Sequence, residues 1–201
     1  MAPSKEMEEK VLKAAIEVVR KGEGALFVIG KDVAYEPLLP QRLQPFNVND
    51  AGADKTLVGL GIVDGAVIIT PDGVVQEYGV LIKDTSPLPG FGTRHAAGLT
   101  ASKNSNTAIL CSEEDRKVKI FRDGKLIMQV DALEKNIEEH VPQISSMLEG
   151  PQVRSLLESL GVGFLGTVGV TALAPALGIS LIPGVIVFGG SYYAIRKFLE
   201  K

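Results

Sequence analysis

Two Asp-Gly turns between short apolar runs constrain the fold of this chain most. Arg122-Asp123-Gly124-Lys125 separates the runs 118–121 and 126–130, and Pro71-Asp72-Gly73 separates 66–70 from 74–75. An Asp-Gly pair in this setting is a strong β-hairpin signal, because both residues accept the left-handed backbone of a tight turn. The sequence therefore predicts two hairpins, with residues 80–82 continuing the second arm of the one around Gly73.

Helical and strand patterns alternate in the rest of the first 150 residues. Residues 5–21 repeat apolar side chains on a helical period, and Gly22 and Gly24 follow. The apolar runs 25–29 and 107–111 predict buried strands. A proline-rich irregular segment at 35–50 precedes the end of a short helix at 57–60, and a loop covers 85–92. Asp131 and Glu134 have capping-box spacing, which predicts a helix from 131 to about 148, bent near Pro142. This order predicts an α/β fold with a mixed central β-sheet flanked by helices.

Composition excludes several classes of function. The 201 residues carry a net charge of −3, which argues against nucleic acid as a partner. The single cysteine, Cys111, excludes an internal disulfide and fits a reducing compartment. Two histidines without a cysteine cluster argue against structural zinc. The charged N-terminus lacks the apolar core of a signal peptide, so we expect a cytoplasmic location.

Three short polar motifs, separated by apolar runs, carry the candidate chemistry. They are Asp64-Gly65-Ala66, Gly92-Thr93-Arg94-His95 and Ser112-Glu113-Glu114. Carboxylates suit a divalent metal, and the planar fork of an arginine suits phosphate oxygens. A glycine-rich entry into a helix at 95–101 would direct backbone amides at an anion.

Each motif also has an ordinary structural interpretation. Asp64-Gly65 is typical of a turn, and the Ser112 motif is typical of a solvated turn after a strand. Arg94 equally suits solvent at a loop-to-helix junction. Gly65 and Ala66 are small enough to admit a nucleotide, but small residues also suit strand entry.

The order and wording of the motifs resemble the diadenylate cyclase family, in its archaeal type. The matching stretches are IVDGAVII at 62–69, GFGTRHAAG at 90–98, AILCSEEDRKVKIFRDGKL at 108–126 and, more weakly, GALFVIGKD at 24–32. Together they cover roughly residues 5 to 130. The resemblance implies the fold of that family and the metal-dependent condensation of two ATP molecules into cyclic di-AMP and two pyrophosphates. It also implies that two subunits meet face to face, as a dimer or within a higher homo-oligomer.

The resemblance also implies roles for individual residues. Catalysis falls to Asp64, Arg94 and His95, with Asp64 activating the attacking 3′-hydroxyl. The implied ligands of Mn²⁺ or Mg²⁺ are Asp64, His95 and Glu114. Nucleotide contacts fall to the following residues: Gly65, Ala66, Gly92, Thr93, Arg94, Ser112 and Glu113.

One position departs from the family pattern. The second arginine of the arginine-histidine motif falls at position 96, where this chain has Ala96. A missing charge-assisted phosphate contact costs about 1.5–3 kcal/mol, or roughly 10- to 100-fold in rate. Lys103 and Arg116 are the cations that we considered as substitutes. The alternative is a catalytically weak or inactive sensor that binds ATP or a cyclic dinucleotide. A membrane-associated scaffold, in which the motifs are only turns, is a third interpretation.

The C-terminal part of the chain has a different composition. From 159 to 195 there are 37 consecutive residues without a charge, divided by Pro175 and Pro183. The two resulting segments are each short for a membrane span. We expect a hydrophobic helical hairpin that contacts the cytoplasmic face of a membrane, or a buried helical pair packed on protein. The predicted domains are therefore a catalytic domain at 1–132, a connecting helix at 133–158 and this tail at 159–201.

Overall fold

A computed structural model describes residues 4–38, 40, 42–86, 92–149 and 182–187. The elements in chain order are α1 (Lys5–Arg20), β1 (Ala25–Ile29), β2 (Tyr35–Pro37), β3 (Phe46–Asn47), α2 (Ala53–Ile62), β4 (Ala66–Ile69), β5 (Val74–Ile82), α3 (Thr93–Ala101), β6 (Thr107–Ser112), β7 (Lys117–Arg122), β8 (Lys125–Asp131), a 3₁₀ turn (Ile137–His140), α4 (Val141–Glu149) and β9 (Val185–Val187).

The strands form one mixed sheet in the order β2-β5-β4-β1-β6-β7-β8-β9, and β3 pairs with β5. β1 and β4 run parallel, whereas the other pairs within the described residues are antiparallel. Every residue of β1, β4 and β6 is buried, as expected for central strands covered on both faces. The predicted α/β class with a mixed central sheet flanked by helices is confirmed.

Helices cover the two faces of the sheet unequally. α1, α2 and α4 contribute to one apolar core, and α3 contributes to the other. α1 begins as predicted, with Ser4 capping the amide of Met7 at 3.3 Å. Across the sheet edge, buried Glu8 accepts a hydrogen bond from Arg122 at 2.6 Å. This charged pair ties α1 to β7.

Both predicted hairpins are present. Asp123 and Gly124 have φ values of 50° and 68°, the left-handed conformation that a two-residue turn between β7 and β8 requires. The turn from β4 to β5 places Gly73 at φ 88°, with its amide donating to the Thr70 carbonyl. β5 is one strand of nine residues, in which residues 80–82 continue the second arm as predicted.

Two local predictions around the first 62 residues were incomplete. The segment predicted as irregular contains β2 and β3, which add short edges to β5. α2 spans ten residues, beyond the predicted helix end at 57–60. Its glycines concealed the helix, since glycine lowers helix propensity.

The predicted capping box at Asp131 is wrong. Asp131 ends β8, where it pairs with Lys117 and donates its amide to the Gly184 carbonyl at 2.7 Å. Its carboxylate accepts from the Leu133 amide at 2.9 Å, so it caps a turn and not a helix. Helical structure begins only at Ile137, and Pro142 lies in the first turn of α4, where a proline costs no hydrogen bond.

The predicted tail falls mostly outside the described residues, as do 159–181 and 188–195 of its uncharged stretch. Residues 185–187, predicted to lie in the second apolar helical segment, instead form β9 against β8. The reason is local, since Val185-Ile186-Val187 is β-branched and β8 offers an edge. Within the part of the chain that the structure describes, no helix has the length and apolar character to cross a membrane.

Candidate active site

The strand directions bring the three motifs to one edge of the sheet. Because β1 and β4 are parallel, Gly24 before β1 and Asp64 before β4 lie at the same end. β6 runs antiparallel to β1 with Cys111 opposite Ala25, so Ser112 and the residues after it reach that end too. α3 also begins there, after Gly92.

A cleft of about 440 Å³ opens at this edge. Its volume is in the range of small-molecule sites. Every site residue predicted from the sequence lines it, whereas Lys103 and Arg116 do not. The lining residues are Leu26, Leu38, Asp64, Gly65, Ala66, Val80, Leu81, Ile82, Gly92, Thr93, Arg94, His95, Ala97, Leu110, Cys111, Ser112, Glu113 and Glu114.

Asp64 stands at the mouth of the cleft with 89% of its side chain exposed. Its Oδ1 accepts from the Gly65 amide at 3.1 Å and lies 3.5 Å from Nη2 of Arg94. Exposure leaves this carboxylate accessible to a bound molecule. The contact with Arg94 is long and largely solvated, so it holds neither group tightly.

Gly65 is small for a structural reason. Its φ is 106°, and a Cβ there would lie 2.6 Å from the Val80 nitrogen and 2.7 Å from the Gly79 carbonyl carbon. The backbone of β5 occupies the space that a side chain would need. Of the two interpretations of this residue, the structure supports close strand packing.

Arg94 rests over a second glycine that sequence analysis did not single out. A Cβ on Gly24 would overlap the Arg94 guanidinium, with Cζ at 3.3 Å and the Glu113 Oε2 at 3.4 Å. Gly24 thus leaves open the space that the guanidinium occupies. The only sequence signal for Gly24 as a site residue was its place at the start of GALFVIGKD, the weakest of the stretches that match the family.

Below Arg94 lies the buried thiol of Cys111. Burial raises the pKa of Cys111, and the nearby charge of Arg94 opposes this only partly. The thiol therefore stays protonated and unreactive, and Cys111 serves as a core residue.

His95 contacts two charged residues that sequence analysis missed as a group. Its Nε2 lies 3.0 Å from Nζ of Lys119, which in turn lies 2.8 Å from Oδ2 of Asp115. Burial, with the adjacent charge of Lys119, lowers the pKa of His95 to about 4, and Asp115 opposes this shift. His95 is consequently neutral at pH 7. The signal for Lys119 was a lysine between the apolar residues Val118 and Ile120 of β7.

Asp115 remains ionised despite partial burial. Burial raises its pKa, but hydrogen bonds from Lys119 and Ser112 and the charges of Lys119 and Lys117 outweigh this, so the net shift is downward. The hydroxyl of Ser112, a predicted nucleotide contact, thus contributes to the lowered pKa of Asp115.

The predicted metal ligands do not form a ready-made site. No group of three or more His, Cys, Asp or Glu side chains disposed to hold a metal occurs within the described ranges. Nε2 of His95 is taken by Lys119. The carboxylates of Asp64, Glu113 and Glu114 do line the cleft. A Mg²⁺ ion typically uses one or two carboxylates together with substrate phosphates, and this donor set fits that arrangement.

The two cations considered as substitutes at position 96 are placed elsewhere. Arg116 donates to the Val19 carbonyl at 2.9 Å, at the end of α1. The side chain of Lys103 lies beside the turn at Gly124. Ala96 itself is buried on α3.

The mixed sheet, its covering helices and the cleft where α3 begins define an α/β domain with one candidate ligand site among the described residues. A family model described as DisA bacterial checkpoint controller nucleotide-binding matches residues 12–126. The match covers more than half of the chain, which therefore belongs to this family. The predicted resemblance is confirmed, and the matched range lies inside the predicted domain 1–132.

Curated relatives carry the same family name. Two archaeal proteins, each named diadenylate cyclase, are 31% identical to this chain. The alignment with the protein from Methanocaldococcus jannaschii is 138 positions long and covers 61% of this chain and 45% of that protein. The alignment with the protein from Haloferax volcanii is 140 positions long and covers 60% of this chain and 51% of that protein. The aligned part is thus about half of each relative's length.

Solved structures show weaker likeness. A double cysteine mutant of DacA from Staphylococcus aureus has a TM-score of 0.48 and 21% identity, covering 71% of this chain and 94% of that one. A hypothetical membrane spanning protein from Bacillus cereus has a TM-score of 0.44 and 20% identity, covering 58% and 59%.

Proposed function

We propose that this chain is a diadenylate cyclase, an enzyme that condenses two ATP molecules into cyclic di-AMP and two pyrophosphates. The observation that carries the proposal is the convergence of all three sequence motifs on one cleft at the start of α3. Membership of the family and the names of the two archaeal relatives support it.

Within this proposal, the chain's own residues divide the work. Arg94 binds phosphate oxygens, because its fork is only partly satisfied by the distant Asp64. Asp64 accepts the proton of the attacking 3′-hydroxyl, a role that its exposure permits. Leu38 and Leu81, exposed apolar residues that line the cleft, offer a surface to a nucleobase.

The site is open on the side of Asp64, which favours completion by a second molecule. With 89% of its side chain exposed, Asp64 has few groups of its own chain around it to position a substrate. A face-to-face dimer would supply the opposing nucleotide, with the 3′-hydroxyl of each ATP attacking the α-phosphate of the other. The proposed active species is therefore a homodimer or a higher homo-oligomer that contains it.

The charge of the cleft supports a requirement for Mn²⁺ or Mg²⁺. Three lining carboxylates, those of Asp64, Glu113 and Glu114, face one arginine, while His95 is neutral. A triphosphate adds about four negative charges to this negative site, which a bound divalent cation offsets. Asp64 is the proposed protein ligand, with Glu114 as a second carboxylate nearby.

The test is incubation of the full chain with ATP and Mn²⁺ or Mg²⁺, followed by mass-resolved chromatography. We expect cyclic di-AMP from the native chain and none from Asp64→Asn. The matched control is Asp84→Asn, another exposed aspartate, outside the cleft and with a positive φ that asparagine tolerates. Equal loss in both variants, or no product from the native chain, would refute the cyclase.

Ala96 favours a second candidate, a nucleotide sensor that does not cyclise. Among the described residues that line the cleft, Arg94 is the one lysine or arginine, and position 96 contributes none. Calorimetric titration with ATP distinguishes the two functions. Tight binding without product in the turnover assay would indicate the sensor.

We also propose that the uncharged stretch from 159 to 195 contacts a membrane from its cytoplasmic side. Its composition supports this, with Arg154 before it and Arg196 after it. Flotation of the full chain with anionic vesicles tests the contact, and a chain that stays with the soluble fraction would argue for packing on protein.

A further inference from the structure

Lys119 is a buried ammonium group behind the cleft. Only 8% of the residue is exposed, and it lies on β7 between Leu110 of β6 and Gln129 of β8. A lysine in such a position is costly unless its charge is paired and hydrogen-bonded. Asp115 at 2.8 Å supplies the charge, and His95 at 3.0 Å supplies a further hydrogen-bond partner.

The chemistry of the two nitrogens fixes the direction of the hydrogen bond. A lysine ammonium has three donors and no acceptor, so Nζ must donate to the His95 ring. The Nε2 atom at 3.0 Å is then the accepting nitrogen, and the hydrogen of the neutral imidazole lies on Nδ1. The contact thus selects one of the two ring tautomers.

We propose that Lys119 is a positioning residue that holds His95 in the Nδ1–H tautomer, and that Asp115 anchors Lys119 for this task. His95 lines the cleft, whereas Lys119 does not. Lys119 therefore acts on bound nucleotide through the ring. The inference rests on the proposed function for its effect on turnover, but the tautomer itself is independent of turnover.

This arrangement changes the role that the family resemblance implied for His95. While Lys119 donates to Nε2, that nitrogen has no lone pair left for a divalent cation. His95 then acts as a neutral hydrogen-bond donor through Nδ1–H, and metal binding falls to the carboxylates and the substrate phosphates. Lys119 also places a positive charge next to the ring of His95, in a chain that has Ala96 where the family has a second arginine.

A purely structural lysine makes different predictions. It would stabilise the sheet and α3, and its loss would lower stability without altering the His95 tautomer. A positioning lysine controls the ring, so its loss changes the tautomer and lowers kcat more than it changes KM. Outer partners of this kind typically contribute about 10- to 100-fold to function.

Nitrogen-15 NMR of the full chain, labelled at histidine, provides the direct test. The chain has two histidines, and a His140→Gln variant assigns the spectrum. We expect the His95 ring of the native chain to show a protonated Nδ1 and an unprotonated Nε2 at pH 7. A protonated Nε2 would overturn the proposal.

Three variants extend the test to function. Lys119→Met, which keeps the length and removes the charge, should give a mixture of both tautomers and lower kcat about 10- to 100-fold, with KM for ATP changing less. Lys119→Arg should restore the single tautomer and most of kcat. Asp115→Asn, at a partly exposed residue, should have a smaller effect in the same direction and serves if the methionine variant does not fold.

The outcomes separate this inference from the cyclase itself. A folded Lys119→Met or Asp115→Asn chain that retains the native tautomer would overturn the positioning role. If the native chain forms no cyclic di-AMP but shows the expected tautomer, which Lys119→Met removes, the positioning role stands and the proposed reaction fails.

Discussion

Replacing Gly24 with alanine tests the placement of Arg94 without touching Arg94 itself. The added Cβ would overlap a nitrogen of the guanidinium and lie 3.3 Å from Cζ, with Glu113 Oε2 at 3.4 Å on its other side. The guanidinium is the free end of a flexible side chain, so it yields before the backbone does. It must retreat by about 1 Å to restore normal contact, a displacement large enough to cost roughly 100-fold in a positioned site.

We expect Gly24→Ala to lower activity strongly and to change stability only slightly. Loss of a charge-assisted contact to phosphate costs about 1.5–3 kcal/mol, which lowers kcat/KM for cyclic di-AMP formation roughly 10- to 100-fold. Stability should change by only about 0.5 kcal/mol, because Gly24 needs no left-handed backbone and the arginine can move. The assays are initial rates of product formation and urea unfolding of the full chain.

Gly59→Ala is the matched control for Gly24→Ala. A Cβ at Gly59, inside α2, would meet nothing within 4 Å. We expect unchanged turnover and a gain in stability of about 0.5–1 kcal/mol, since alanine is the better helix former. Native turnover in Gly24→Ala would refute the argument that Gly24 sets the place of Arg94. Equal loss of turnover in both variants would do the same.

Three further predictions concern the framework of the site. Gly65→Ala should lower the free energy of unfolding in urea by about 2 kcal/mol or more, because φ is 106° and the β5 backbone blocks the Cβ. Arg122→Met should cost about 3–5 kcal/mol in the same assay, because it leaves the buried Glu8 carboxylate without its arginine. The His95 ring should stay neutral on acidification until about pH 4, because burial and Lys119 lower its pKa; an NMR titration measures this. The ordinary histidine pKa is 6.5, so the unfolded chain binds this proton at a higher pH than the folded chain. The stability of the fold should therefore decrease as the pH drops from 6.5 towards 4.

Each of these predictions has an outcome that contradicts it. A Gly65→Ala chain of native stability that no longer binds ATP would show that the glycine makes room for ligand. For the Arg122 pair, the double variant Glu8→Gln with Arg122→Met should recover part of the loss, and no recovery would show that the charge of Glu8 is not the cause. A His95 resonance that titrates near pH 6.5 would show that the ring is neither desolvated nor opposed by Lys119.

The parts of the fold that the sequence predicted are those with local causes. The helix at 5–20, the buried strands β1 and β6 and both hairpins follow from periodicity and turn chemistry within about ten residues. The capping box at Asp131 failed because a distant partner decided the backbone. The amide of Asp131 donates to Gly184, more than fifty residues away, and no local pattern contains that pairing.

The residues of the site also fall into two groups, those with a local sequence signal and those that depend on a distant partner. The three motifs were predictable because each combines small or glycine residues or a strand end with charged side chains within a few consecutive residues. Gly24 and Lys119 were not predictable, because the role of each depends on a side chain that is distant in the sequence. Gly24 matters only because Arg94 lies over it, and Lys119 only because α3 places His95 above β7.

The missing arginine at position 96 illustrates why cations in a site must be located in space. From the sequence, Lys103 and Arg116 were the nearest positive residues to consider, and the structure commits Arg116 to the end of α1. Lys119, the third residue of β7, instead reaches the histidine next to Ala96. It cannot replace a guanidinium in contact with phosphate, because it does not line the cleft. If the proposed function holds, Arg94 and a divalent cation are the groups proposed to offset the phosphate charge, so turnover should depend more steeply on metal concentration after any change that displaces Arg94.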